Sequence, residues 1–384
     1  MVGWIYGYFG YDNLGDEAIL ASVLLNTPEF IDPVVLSWNK EKIESIHGTV
    51  KCFKQPPEHV IAKIKFFMKY GYCFLPNLLQ KRPVVIAGGG CLNDHIPGRV
   101  ASKLRDIKLL TKLGCKVGLL GVGVNPLVCG EDIDAIKVMF NKYLHYCSVR
   151  DLDSYEALKQ VDVDVSKVLE TNDVVFAFND ETKKRKKISS SLKKARVGLN
   201  LRPLFSNSLE RGNGKTEKYN EYLIRSSQLI ESLEKNVGSL ELVPMGPDDA
   251  AFLREINTGQ NVQLCSVLTD PYSAIKKFSE YDAFIGMRYH SIIFSILAGV
   301  ACVAIPYSPK VLSLCKNFGF CGEDLIVGDG SEMPDNDMNV DAILGALVTT
   351  WGNYESYLNK SSIVCNEYAK TAKEDIRRCW QVLS

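Results

Sequence analysis

Tyr281-Asp282-Ala283-Phe284-Ile285-Gly286-Met287-Arg288-Tyr289-His290-Ser291-Ile292-Ile293-Phe294-Ser295-Ile296-Leu297-Ala298-Gly299 reads as a short buried strand, a tight junction and a buried helix. Arg288 and His290 stand at that junction, between two apolar runs. Charged groups are costly to hold in such a place unless something of opposite charge meets them. The carboxyl end of a parallel strand, facing a helix N-terminus, is where α/β proteins bind phosphate and carboxylate groups. A local reading stands beside this one: Arg288 pairs with a nearby Asp and His290 caps the helix. The stretch alone does not separate the two.

The same strand-then-helix pattern runs outward along the chain. In the first half the strand candidates are Gly3–Tyr8, Val34–Trp38, Val84–Ala87, Val117–Gly121 and Tyr146–Val149. Helical spacing covers Glu17–Leu25, Arg99–Leu113 and Ile133–Tyr143. In the second half the strand candidates are Val197–Leu201, Leu240–Pro244, Ala283–Gly286, Cys302–Pro306 and Leu325–Val327. Helices are expected at Tyr219–Lys235, Pro271–Phe278, Ser291–Ala298 and Lys310–Phe318. Alternating strands and helices mean parallel sheets covered on both faces. The expected fold class is α/β, with two Rossmann-like domains facing across a cleft. Residues 1–178 form the first and 196–353 the second. The polar, basic, Ser-rich stretch 179–195 reads as a linker. Residues 354–384 read as a helix that packs back toward the first domain.

A chain of 384 residues exceeds one ordinary core, which agrees with two domains. Apolar residues make up 46% and the formal net charge is +0, which argues against a dedicated nucleic-acid binder. Twelve cysteines are scattered singly with no C-x-x-C, and only five histidines occur, so neither a zinc site nor a disulfide framework is suggested. Buried thiols fit a reducing cytosol. The N-terminus lacks a basic leader region, and no run is long enough for a membrane span. Aromatic residues interleave with Lys over Lys63–Pro76. That stretch reads equally as a helix touching anionic lipid and as a helix packed on the first sheet.

Several strand ends carry residues suited to ligand chemistry. Gly7-Tyr8-Phe9-Gly10-Tyr11-Asp12-Asn13-Leu14-Gly15-Asp16 is a glycine-bearing turn leading into a helix. It is neither a dinucleotide fingerprint nor a Walker loop. Asp12, Asn13 and Asp16 suit sugar hydroxyls, or one of them acts as a base; alternatively they cap the helix. Val84–Ala87 leads into Gly88, Gly89 and Gly90, which expose backbone N–H groups, followed by Asn93 and Asp94. Gly121-Val122-Gly123 repeats the theme weakly. Arg150 follows one strand and Arg202 another, and either can pair with a local carboxylate instead. Lys310 opens a helix, where the dipole disfavours a cation by up to ~1 kcal/mol, so an anion nearby would offset the cost. Arg288, His290 and Lys310 together make a compact cationic site for a small, doubly charged acid.

These residues, taken in order, resemble the polysaccharide pyruvyl transferase family, and within it the bacterial cell-wall branch that ketalates N-acetylmannosamine. The resemblance rests on G-Y-F-G-Y-D-N-L-G-D-E-A-I-L, Gly88–Gly90, Ser148-Val149-Arg150-Asp151, and G-M-R-Y-H-S followed by I-P-Y-S-P-K. It spans Gly7 to about Phe318. Tyr289 is a departure, since the family more often has Leu there. The resemblance implies a glycosyltransferase-B-like fold and phosphoenolpyruvate as donor. The implied acceptor is a sugar on a lipid- or nucleotide-linked carrier. No metal or other cofactor is implied. Arg288, His290 and Lys310 would contact the donor, with Arg150 and Arg202 as further contacts. The acceptor would lie toward Asp12, Asn13, Asp16, Gly88–Gly90, Asn93 and Asp94. His290 is then the acid/base, and Asp16 or Asp94 orients or deprotonates hydroxyls. A cytoplasmic location is expected, with peripheral membrane contact and homo-oligomerisation left open. The rival readings are a nucleotide-sugar glycosyltransferase of the same architecture and a non-catalytic sugar- or anion-binding protein.

Overall fold

The computed structural model describes residues 1–55, 81–90, 92–93, 97–125, 127–179, 189–204, 215–257, 259–320, 325–328 and 337–384. Asp94, the 63–76 stretch and linker residues 180–188 lie outside them. The chain divides into two compact units: Met1–Phe178 with Tyr368–Ser384, and Asn179–Glu367.

Unit 1 holds β1 (Val2–Tyr6), α1 (Leu14–Asn26), β2 (Asp32–Ser37), α2 (Lys40–His47), β3 (Lys51–Lys54), β4 (Val84–Ala87) and α3 (Arg99–Lys112). It continues with β5 (Val117–Val122), α4 (Gly130–Lys142), β6 (Tyr146–Val149), α5 (Leu152–Gln160) and β7 (Leu169–Glu170). The strands form a seven-stranded sheet in the order β3-β2-β1-β4-β5-β6-β7. Every described pairing is parallel, as in Trp4 opposite both Val34 and Val84. Every residue of β4, β5 and β6 is buried, as a sheet covered on both faces requires. Helix α1 starts at Leu14, earlier than its apolar spacing suggests, because the Asn13 side chain caps it by accepting from the Gly15 N–H at 3.0 Å. The C-terminal segment closes the unit. Its Asp375 carboxylate accepts from the Tyr146 hydroxyl and, at 2.7 Å, from Ser148 Oγ. Trp380 is fully buried, and Gly3 makes room for it: a methyl there would lie 2.5 Å from the indole.

Unit 2 holds β8 (Arg196–Asn200), α6 (Lys215–Asn236), β9 (Ser239–Leu242), α7 (Pro247–Ile256), β10 (Gln263–Leu264) and α8 (Pro271–Phe278). It continues with β11 (Ala283–Gly286), α9 (Tyr289–Leu297), β12 (Ala301–Ala304), α10 (Pro309–Phe318), α11 (Val340–Gly352) and α12 (Tyr354–Leu383). Residues of α12 from Tyr368 onward belong to unit 1. The second sheet is also parallel, in the order β10-β9-β8-β11-β12. Phe278 of α8 packs on Phe284 and Phe294 with ring centroids 4.6 and 5.6 Å apart, which seats α8 and α9 on β11.

In each sheet the strand order reverses beside its first strand, at β1/β4 and at β8/β11. Loops leaving the carboxyl ends on either side of such a reversal diverge and leave a crevice for ligands. The Leu325–Val327 strand does not form; Leu325 and Val327 are buried core residues, and the Val327 N–H donates to Pro306. The sequence reading misses β3, β7 and β10, all at sheet edges, where a strand is short and needs no apolar run. No helix among the described residues is long and apolar enough to cross a membrane.

Candidate active site

The β8/β11 reversal of unit 2 gathers cations. Arg288 stands at the N-cap position of α9, and its backbone N–H donates to Asn200 Oδ1 at 2.9 Å, tying the end of β11 to the end of β8. Its Nε lies 3.0 Å from Asp249 Oδ1. Asp249, fully buried in the first turn of α7, also accepts from the Met245 N–H at 3.1 Å and from Asn200 Nδ2 at 3.3 Å. Burial works against the guanidinium charge, but Asp249 outweighs it and raises the Arg288 pKa. The pairing with a nearby Asp is therefore real. It aligns Arg288 while leaving 30% of the side chain exposed.

Tyr307, half-buried just past β12, shows the sign of the local field. Burial pushes its phenol up, yet Lys310, Arg202 and Arg288 pull it down to about 8. The Arg202 guanidinium lies 4.5 Å from the centre of the Tyr307 ring. The Arg202 carbonyl accepts from the Tyr222 hydroxyl at 2.8 Å, which fixes the segment leaving β8. Lys310 is in the first turn of α10. Ser308 stands at the N-cap of that helix without capping it, and its buried Oγ has no hydrogen-bond partner among the described residues. The buried Nε of Arg202 has none among them either. Orphaned buried polar atoms are uncommon and mark places where a ligand can complete the hydrogen bonding. His290 lies in the first turn of α9, with the buried Tyr289 ring edge-on to it at 5.3 Å. The Tyr289 ring thus packs against the imidazole.

The β1/β4 reversal of unit 1 gathers carboxylates. Asp16 is buried in the first turn of α1 and its pKa is raised to about 7. Burial is the main cause, reinforced by Glu17 and Asp173 and opposed by Arg150 and the Gly89 N–H. Arg150 is itself buried and pairs with Asp151 at 3.2 Å and Asp173 at 3.3 Å. Gly89 and Gly123 allow this packing: a methyl on Gly123 would lie 2.7 Å from the Arg150 guanidinium. Fully buried Glu17 accepts from the Gly10 N–H at 2.7 Å. Burial raises the pKa of Glu17, against the Gly10 N–H and Lys42.

Among the expected donor residues, Arg202, Arg288 and Lys310 act together on Tyr307, with His290 two residues from Arg288. Arg150 lies in unit 1 beside Asp16 and Gly89. Among the expected acceptor residues, Asn13 caps α1 and Asp12 pairs with Lys42 at 2.6 Å. Asn93 is buried and donates to the Gly90 carbonyl at 2.6 Å. Gly88 and Gly90 have open space where a side chain would be. Sequence reasoning passes over Glu17, Asp173, Asp249 and Tyr307. A signal existed for Asp249, in a Gly-Pro-Asp-Asp run that opens a helix after a strand. Asp173 carries none, since only the fold brings it to Arg150.

The sequence pattern of the polysaccharide pyruvyl transferase family matches residues 13–309, well over half the chain. The chain belongs to that family. The match contains Asp16, Arg150, Arg202, Arg288, His290 and Tyr307 and stops one residue short of Lys310. No curated protein matches the sequence. Among solved structures, this pyruvyl transferase family member is similar to a UDP-bound MnaA from S. aureus, with TM-score 0.59 and 10% identity over 97% of this chain and 94% of that one. It is similar to Anabaena HepE in complex with UDP-glucose, with TM-score 0.58 and 10% identity over 100% and 98%. It also resembles the UDP-GlcNAc 2-epimerase of Methanocaldococcus jannaschii, with TM-score 0.56 and 11% identity over 90% and 91%. At such identities the likeness carries the fold alone, a pair of Rossmann-like units of the glycosyltransferase-B kind.

Proposed function

We propose that this family member transfers pyruvate from phosphoenolpyruvate onto two hydroxyls of a sugar, forming a cyclic ketal. N-acetylmannosamine in a cell-wall polysaccharide precursor is the proposed acceptor. The reading is supported by the charge at the ends of β8, β11 and β12, where Arg202, Arg288 and Lys310 all act on Tyr307, a pattern suited to a small dianion. Arg288, aligned by Asp249, suits bidentate contact with a carboxylate or phosphate. Arg202, Lys310 and the Ser308 hydroxyl supply the remaining contacts.

In the proposed reaction a proton adds to the enol CH₂, which becomes the methyl group. The adjoining carbon turns electrophilic and its oxygen shares the charge. One sugar hydroxyl attacks that carbon, its C–O bond to phosphate breaks, and a second hydroxyl closes the ring. The two hydroxyls lose two protons; one balances the proton placed on carbon and the other leaves with phosphate. His290 moves the proton to carbon. Asp16 accepts a proton from the sugar, since a carboxyl near 7 can hold and release one at neutral pH. The cations stabilise the departing phosphate.

The test is phosphate release from phosphoenolpyruvate in the presence of N-acetylmannosaminyl glycans. Acceptor-dependent release that Lys310→Ala abolishes supports the reading. Release of nucleoside diphosphate from a nucleotide sugar, with phosphoenolpyruvate untouched, overturns it.

A further inference from the structure

The departing phosphate needs more than positive charge. A phosphate monoester carries two negative charges, and breaking its C–O bond without a proton releases a trianion, a strong base that leaves poorly. A proton placed on the bridging oxygen removes that cost, so the phosphate needs an acid beside it. His290 is occupied with the enol carbon. Arginine does not give up its proton, and lysine does so only well above neutral pH.

Tyr307 stands in the right place, on a segment held from both sides. Just before it, the Ile305 N–H donates to the Gly286 carbonyl at 2.8 Å and the Pro306 carbonyl accepts from the Val327 N–H at 2.9 Å. Just after it, the Ser308 carbonyl accepts from the Val311 N–H at 3.0 Å, at the start of α10. The Arg202 guanidinium covers the phenol ring at 4.5 Å. Lys310 follows three residues later in the first turn of α10. Beside Tyr307, the Ser308 side chain is 5% exposed, and its Oγ has no partner among the described residues. A buried polar atom left open next to these cations marks a ligand oxygen's place. The neighbouring Tyr222 differs: its hydroxyl already donates to the Arg202 carbonyl, and burial pushes its phenol up.

We propose that Tyr307 is a catalytic residue of the transfer, giving its phenolic proton to the oxygen that bridges phosphorus and the reacting carbon. The Tyr307 O–H bond breaks and an O–H bond forms on the bridging oxygen. The C–O bond breaks with its electron pair on that oxygen, and hydrogen phosphate leaves. Arg202 and Lys310 hold the phenolate that remains. It takes back the proton that the second sugar hydroxyl loses as the ring closes, so the protons balance as before. The cations already bring the phenol down to about 8 against the effect of burial, which suits a group that gives and regains a proton near neutral pH. The proposal rests on the pyruvyl-transfer reading above and adds a residue to which that reading gives no step.

The test compares the full chain with Tyr307→Phe, which keeps the ring under Arg202 and removes only the hydroxyl. At pH 7, with phosphoenolpyruvate and an N-acetylmannosaminyl glycan, kcat should fall about a hundredfold in the variant. Phosphoenolpyruvate should bind the two proteins equally, as read by calorimetry. Wild-type kcat/KM should decline above about pH 8 as the phenol ionises, and the variant should lack that decline. Mass spectrometry of the quenched variant reaction should show a sugar adduct that still carries phosphate. Unchanged turnover in Tyr307→Phe with the alkaline decline retained overturns the acid role and leaves pyruvyl transfer standing. A fall in turnover matched by an equal loss of phosphoenolpyruvate binding also overturns it, since the hydroxyl would then serve binding alone. A wild-type protein that never consumes phosphoenolpyruvate overturns pyruvyl transfer itself, and the acid role with it.

Discussion

Arg288 and His290 stand two residues apart, yet the proposed chemistry gives them different work. Arg288 is anchored by Asp249, so Arg288→Ala should chiefly raise the KM for phosphoenolpyruvate, whereas His290→Ala should fold and bind donor but lose turnover. Steady-state kinetics of the two variants check the split, and a fully active His290→Ala would remove that residue from the chemistry. Tyr307 reports on the same site. Its ultraviolet titration should centre near 8, vanish in Tyr307→Phe, and move to higher pH when bound phosphoenolpyruvate offsets the cations. Asp16 supplies a test in unit 1. Its folded pKa, about 7, lies above its ordinary 3.8, so the fold prefers the protonated carboxyl. Stability from this group is complete below about pH 4 and falls away as pH rises through 7. Asp16→Asn, which mimics the protonated form, should therefore gain up to about 4 kcal/mol above pH 7 and little near pH 4, as read by denaturant unfolding. The same variant should lose activity at every pH, and wild-type turnover should rise through pH 7 as the base ionises. Arg288, His290 and Lys310 were legible in sequence because charge at a strand end is conspicuous. For Asp249 the Gly-Pro-Asp-Asp run marks only a helix start; that its carboxylate aligns an arginine 39 residues away is seen only in the fold.

The elements that the sequence revealed are the central ones. Val84–Ala87, Tyr146–Val149 and Ala283–Gly286 are buried throughout because both of their faces are covered, and their bounds read directly. Lys51–Lys54 and Gln263–Leu264 pair on one side only, so their composition resembles that of loops. Helix ends depend on caps. Asn13 moves the start of α1 to Leu14 and so puts Asp16 and Glu17 in its first turn, where a purely apolar criterion starts the helix three residues later. The C-terminal helix, expected to pack back toward the first domain, has its residues from Tyr368 onward in unit 1. Its last turns carry Trp380, fully buried over Gly3, and Asp375, bonded to Tyr146 and Ser148. Trp380→Ala should cost about 3–5 kcal/mol in thermal or denaturant unfolding of unit 1. A loss below about 1 kcal/mol would show that the helix end contributes little to the unit.

At the scale of the whole molecule, each of the two Rossmann-like units gathers charged side chains where its strand order reverses. One reversal carries Arg202, Arg288 and Lys310 around Tyr307. The other carries Asp16, Asp173 and Arg150. The pairing of Arg150 with Asp151 and Asp173 was not legible in the sequence, because only the fold brings Asp173 to it. The most direct measurement is mass spectrometry of an N-acetylmannosaminyl glycan after incubation with the full chain and phosphoenolpyruvate. The account predicts a glycan carrying a pyruvate ketal with wild-type protein and none with His290→Ala. An unmodified glycan, or one extended by a sugar when a nucleotide sugar is added instead, would contradict it.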